Sequence, residues 1–236
     1  MQWRDRLIVA LDRSSRDEIL RLADELHDVA GAVKIGLQAF VANGPALVRE
    51  LVQRGEKVFL DLKIHDIPNT AQHAIADIAA LGVSMTTVHS AGGEAMLRSS
   101  ARDDLLVLSV TILTSLDEQE IQRIGFSGSP VENAVRLARM SKQCGLRGVV
   151  ASPEEIVAIR EECGSDLVIV TPGVRPEGSA SGDQRRTTTP AAAIAAGADY
   201  IVIGRPITDA PAPREAALRI IERLDASRRS SAATSA

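Results

Sequence analysis

The sequence predicts a single (β/α)8 TIM barrel with parallel strands. Eight short runs rich in Val, Ile and Leu recur along its 236 residues. Most are continuous apolar runs rather than alternating ones, as parallel strands covered on both faces require. Amphipathic, helix-like stretches lie between them, and such barrels run to ~250 residues as one domain. A doubly wound open sheet is the main alternative. No GxGxxG follows the first run, which removes that fold's usual dinucleotide-binding form.

The strand candidates are RLIVALD, AVKIG, KVFLDLK, MTTVHS, LLVLSVT, GVVAS, LVIVTPG and YIVIGR, in that order. After the first comes SSRDEILRLADELHDVA, which opens on serines suited to cap a helix and places acids in its first turn. The stretch GPALVRELVQRG follows the second run and ends on a glycine suited to helix termination. PNTAQHAIADIAALG follows the third and begins with Pro and ends with Gly, the expected polarity of a helix. Further helices are expected at about 131–143, 153–162, 190–196 and 213–225. Residues 1–226 are therefore expected to form one domain. The small, polar segment 227–236 is expected to be a disordered tail.

Composition narrows the function classes. Hydrophobic residues are 45% of the chain and charged residues 25%, ordinary for a globular protein. Aromatics are only 2%, so aliphatic side chains must fill the core. A net charge of −4 argues against a general nucleic-acid binder, though not against a small anion held in a locally positive pocket. Cys144 and Cys163 have neither zinc nor CxxC spacing and read as buried free thiols. The N-terminus shows no signal pattern and no stretch reaches ~18 apolar residues, so a cytoplasmic, non-membrane protein is expected.

Catalytic groups in this fold sit at the C-terminal ends of strands. Here those ends carry Asp12, Lys34, Asp61 and Lys63, with Asp66 in the following loop. Asp61 and Lys63 are two apart and so share a strand face. Their apolar flanks, and those of Lys34, predict partial burial, where charges need partners. An alternating set of Lys34, Asp61, Lys63 and Asp66 would supply them. At the end of the eighth run, Gly204 and Arg205 suit an anion: Gly allows close backbone approach and Arg binds phosphate in bidentate fashion. The loop TPGVRPEGSASGDQRRTTTP adds Arg175, Gln184, Arg185 and Arg186 and has the length of a lid.

These residues match a family. DLKIHDIPNT, Asp61–Thr70, resembles the D-x-K-x-x-D-I-P-x-T signature of bacterial-type orotidine 5′-monophosphate decarboxylases at every fixed position. VALD and VKIG before it, and TILTS, TPGVRP, GDQRR and VIGRPI after it, all fall in family order and spacing, and the resemblance covers about residues 5–222. It implies a cofactor-free and metal-free conversion of orotidylate to uridine monophosphate and carbon dioxide in pyrimidine biosynthesis. Lys63 matches the proton donor, in an array with Lys34, Asp61 and Asp66. Asp12 and Lys34 match contacts to the ribose hydroxyls, and Thr114 a contact to the pyrimidine. Arg175, Gln184, Gly204 and Arg205 match a phosphate grip, with residues 172–187 as the lid. Asp66 and Thr70 match residues that complete the partner's site in a homodimer.

Other residues carry less. His65, inside the motif, is read as structural. His89 is read evenly between lining the site and packing, and His27, His73 and Trp3 as surface or packing residues. Two other functions fit parts of the pattern. Related barrel enzymes that act on sugar phosphates with Mg²⁺, such as keto-gulonate phosphate decarboxylase or hexulose phosphate synthase, share the D-x-K-x-x-D core. They carry an acid where Lys34 stands, and a divalent metal prefers oxygen ligands. A binding-only barrel is the other reading, and the full set of catalytic matches argues against it.

Overall fold

The computed structural model describes residues 3–176 and 187–234. The eight expected runs form eight strands: β1 Leu7–Ala10, β2 Ala32–Gly36, β3 Val58–Ile64, β4 Met85–His89, β5 Leu106–Val110, β6 Gly148–Val150, β7 Val168–Thr171 and β8 Tyr200–Ile203. Each pairs in parallel with its neighbour in sequence order, and β8 closes on β1. The (β/α)8 barrel is confirmed and the open sheet is excluded.

Strand alternation builds two cores. Ile8, Ala10, Ala32, Phe59, Met85, Leu108, Val170 and Val202 fill the barrel interior. Leu7, Val9, Val33, Ile35, Val58, Leu60, Ile201 and Ile203 belong to the second core, with Leu22, Leu51, Ile75 and Ile159 of the surrounding helices. The period of two then dictates the mouth. Lys34 follows inward Ala32 by two, and Asp61 follows inward Phe59 by two. Phe59 is buried, so the scarce aromatics include one that plugs the barrel beneath the charges.

The helices largely follow their punctuation. Ser15 caps Arg16–Leu26 by accepting the Glu18 N–H, and Ser129 forms a capping box with Glu132 at the start of Pro130–Gln143. Pro68 opens Pro68–Ala80 and Gly197 in the left-handed region closes Pro190–Ala196. Some helical segments lie outside the expected set. The expected helix after Gly44 is present, and a further helical segment from Leu37 precedes it, the two joined within Leu37–Gln53 by a kink at Gly44, whose φ is 64°. Gly93–Ser100 is a helix between β4 and β5 that its short, glycine-led sequence did not reveal. The last helix spans Pro213–Thr234, with no Gly or further Pro to interrupt it.

The opposite end of the barrel is tied by charge. Arg160 donates to Asp199 at 2.5 Å and to the Gly197 carbonyl, while Asp199 also accepts the Ile169 N–H at 2.8 Å. This clamps β7 to β8 far from the mouth. Among the described residues no helix is long and apolar enough to cross a membrane. Cys144 and Cys163 are buried free thiols, and burial pushes both thiol pKa values up.

Candidate active site

The C-terminal ends of the strands open into a cavity of about 580 Å³. Its wall includes Asp12, Lys34, Asp61, Lys63, Thr114, Arg175, Gly204 and Arg205. Eight residues singled out from the sequence thus meet in one cavity, although they are spread over nearly 200 positions. Gln184, Arg185 and Arg186 lie outside the described residues, as does most of the expected lid.

The charges form a chain. The Lys34 ammonium donates to Asp12 Oδ1 at 2.9 Å and lies 3.9 Å from Asp61 Oδ2. Lys63 Nζ donates to that same Asp61 oxygen at 2.8 Å. The order is Asp12, Lys34, Asp61, Lys63, with alternating sign. Lys34 is 8% exposed, which leaves its neighbours to replace the water it lost. The Lys63 side chain is 40% exposed and so stands where a ligand can reach it.

Two details differ from the expected array. Asp66 is outside the chain of contacts; it is exposed and its Oδ1 accepts the Ile67 N–H at 2.7 Å. Thr70 is also exposed, and neither lines the cavity. Asp12 takes the place expected of Asp66 as a partner within the subunit. The second difference is local backbone. Asp61 and Lys63 meet as their spacing predicts, but on a bulged strand with Lys63 at φ 52° rather than on a regular one.

Gly36 explains how the array fits. A Cβ there would lie 2.7 Å from Asp12 Oδ1 and 2.9 Å from Lys34 Nζ, so any side chain would displace the ion pair. At the end of β8, Gly204 precedes the short helix Arg205–Thr208. Gly204 and Arg205 line the cavity with Arg175. Arg13, which the sequence reading passed over, also reaches the cavity, where it pairs with Glu18 at 2.8 Å and with Asp209. No motif marked it, since its partners are far apart in sequence.

The histidines sort by contact. His89 stacks on His65 with ring centroids 5.5 Å apart and does not line the cavity. Burial, then His65 and Lys63, push the His89 pKa down. His27 is a surface residue whose Nδ1 lies 2.6 Å from Glu56, and that hydrogen bond raises its pKa. Trp3 packs against the outer core with Arg6 over its ring.

Fold and cavity together define a barrel enzyme whose catalytic mouth joins a two-lysine, two-aspartate ion array to an arginine-bearing wall. Comparison with known proteins makes the class specific. A model described as "Orotidine 5'-phosphate decarboxylase / HUMPS family" matches residues 5–220. The orotidine 5'-phosphate decarboxylase of Moorella thermoacetica is 48% identical, with 95% of this chain and 94% of that protein covered. The one from Heliobacterium modesticaldum is 47% identical, covering 95% and 97%. The crystal structure of orotidine 5'-phosphate decarboxylase from Lactobacillus acidophilus superposes with a TM-score of 0.82 at 35% identity, covering 92% of this chain and 98% of that one. The chain belongs to the orotidine 5'-phosphate decarboxylase / HUMPS family, and it is an enzyme of the carboxy-lyase class.

Proposed function

We propose that this protein is an orotidine 5′-monophosphate decarboxylase that forms uridine monophosphate and carbon dioxide without metal or cofactor, as a step of pyrimidine nucleotide synthesis in the cytoplasm. The observation that carries the metal-free reading is the position of Lys34. Its ammonium stands between Asp12 and Asp61, where a divalent ion would need a third oxygen donor. That disfavours the Mg²⁺-dependent sugar-phosphate reaction of related barrels.

The chemistry follows from the residue types. The bond between the pyrimidine ring carbon and its carboxylate breaks, carbon dioxide leaves, and the electron pair stays on the ring carbon. The ring delocalises that charge poorly. A fixed ammonium beside the carbon stabilises it and then supplies the proton that completes the product. Lys63 is that group. Asp61 holds the ammonium in place and fixes the polar surroundings of the departing carboxylate. Asp12 and Lys34 bind the ribose hydroxyls and Thr114 the pyrimidine. Arg175, Gln184, Gly204 and Arg205 grip the phosphate, whose remote binding energy orients the ring, with residues 172–187 as the lid.

Asp66 and Thr70 complete the site of a second copy in a homodimer. Their exposure beside the mouth supports this, as do exposed apolar Leu37 and Val41 from the helix after β2 and Ile67 next to Asp66. Residues 1–226 make up the single catalytic unit.

The test is turnover of orotidylate after exhaustive EDTA treatment, followed by loss of its absorbance. Full activity is expected in EDTA. Activity lost and restored by Mg²⁺ would favour the sugar-phosphate class. Affinity for uridine monophosphate without turnover would make the protein a binder only.

A further inference from the structure

The bulge in β3 is held by a residue that does not touch the cavity. Leu60 pairs with Thr86 and Ile64 with Val88, so Asp61, Leu62 and Lys63 together face the single residue Thr87 of β4. Lys63, at φ 52°, is the one non-glycine among the described residues in the left-handed region. A bulge leaves backbone groups without ladder partners, and an unusual backbone conformation persists only where its surroundings enforce it.

Thr87 does so through its side chain. The Lys63 N–H donates to Thr87 Oγ1 at 2.9 Å, and Thr87 Oγ1 donates to Asp61 Oδ1 at 2.9 Å. A hydroxyl has one proton, so these two bonds fix its orientation. The other Asp61 oxygen accepts the Lys63 ammonium at 2.8 Å. Backbone, hydroxyl, carboxylate and ammonium therefore close a ring that runs from Lys63 back to Lys63. Thr87 is fully buried.

We propose that Thr87 is a positioning residue for the decarboxylation: its hydroxyl sets the Lys63 backbone and the Asp61 carboxylate in one geometry. This rests on the reading of the site given above. When the ammonium turns from Asp61 toward the ring carbon, Asp61 stays fixed by Thr87 on one oxygen and by the charge of Lys34 near the other. Thr86, the preceding residue, instead donates to the Leu60 carbonyl at 2.9 Å and supports only the strand.

The experiment compares Thr87→Val, which keeps the shape and removes the hydroxyl, with Thr87→Ser, which keeps the hydroxyl. Wild-type turnover of orotidylate is established first; its absence overturns the reading of the site, whatever the variants do. With active wild type, Thr87→Val is expected to lower kcat by about 10- to 100-fold, the scale of one lost hydrogen bond to a charged group. KM and affinity for uridine monophosphate should stay within about threefold, and Thr87→Ser should restore most of kcat. Where Thr87→Val does not accumulate folded, Thr87→Cys supplies the comparison, with a weak S–H donor of similar size. Unchanged kcat in the hydroxyl-free variant, or a serine variant as impaired as the valine one, would overturn the proposal.

Discussion

Lys34 stands between two carboxylates, and Lys63 at the end of the same chain of contacts is the more exposed of the two ammoniums. That division suits one cation to structure and ribose binding and the other to chemistry. The histidines provide an independent check on the mouth, because two environments move them in opposite directions. His89 should titrate below 6.5 because it is desolvated beside His65 and Lys63, and His27 above 6.5 because Glu56 accepts a hydrogen bond from its protonated ring. The stability linkage follows with opposite signs. The His89 contribution is present above 6.5 and is lost as pH falls through its folded value. The His27 contribution is present below 6.5 and is lost as pH rises through its folded value. Imidazole NMR titration measures both, and a His89 that titrates above His27 would contradict the geometry. Most charged cavity residues were legible at this scale because each sits at or just after a strand end in a recognisable run. Thr87 was not, because its importance depends on a bulge in the neighbouring strand.

At the scale of elements, eight apolar runs announced eight strands because a parallel barrel hides both faces of each. Boundaries were less legible. The helix after Gly44 was legible from its punctuation, but the helical segment from Leu37 to that kink was not, because Gly44 and Pro45 read as the start of the element rather than as a bend inside it. Close packing between strands was also hidden in the sequence. A Cβ on Gly148 of β6 would fall 2.6 Å from Leu108 Cδ2 and 2.9 Å from the Val168 carbonyl oxygen. Backbone cannot yield as a side chain does, so Gly148→Ala should destabilise the fold by about 1–3 kcal/mol, the usual cost of overpacking. Urea unfolding would measure it, and an unchanged midpoint would show that β5, β6 and β7 pack more loosely than described.

For the whole molecule, barrel closure brings Asp12 and Arg205 to the same cavity, and chain order alone could not give that distance. The fold class supplied it. What one subunit does not supply is a place for Asp66 in its own array, and the proposed homodimer accounts for that. Subunit exchange between Lys63→Ala and Asp66→Ala proteins should restore about a quarter of wild-type activity, since half the dimers are mixed and each holds one complete site. Two inactive parents that remain inactive after exchange would place Asp66 in its own subunit's site.

The central claim is that Lys63 performs the chemistry while the arginine-bearing wall supplies binding. It is tested most directly by measuring kcat, KM and uridine monophosphate affinity for Lys63→Ala beside Arg205→Ala. Lys63→Ala is expected to lose turnover while retaining most of its nucleotide affinity, and Arg205→Ala chiefly to raise KM. Comparable losses of kcat with unchanged KM in the two variants would contradict that division of labour.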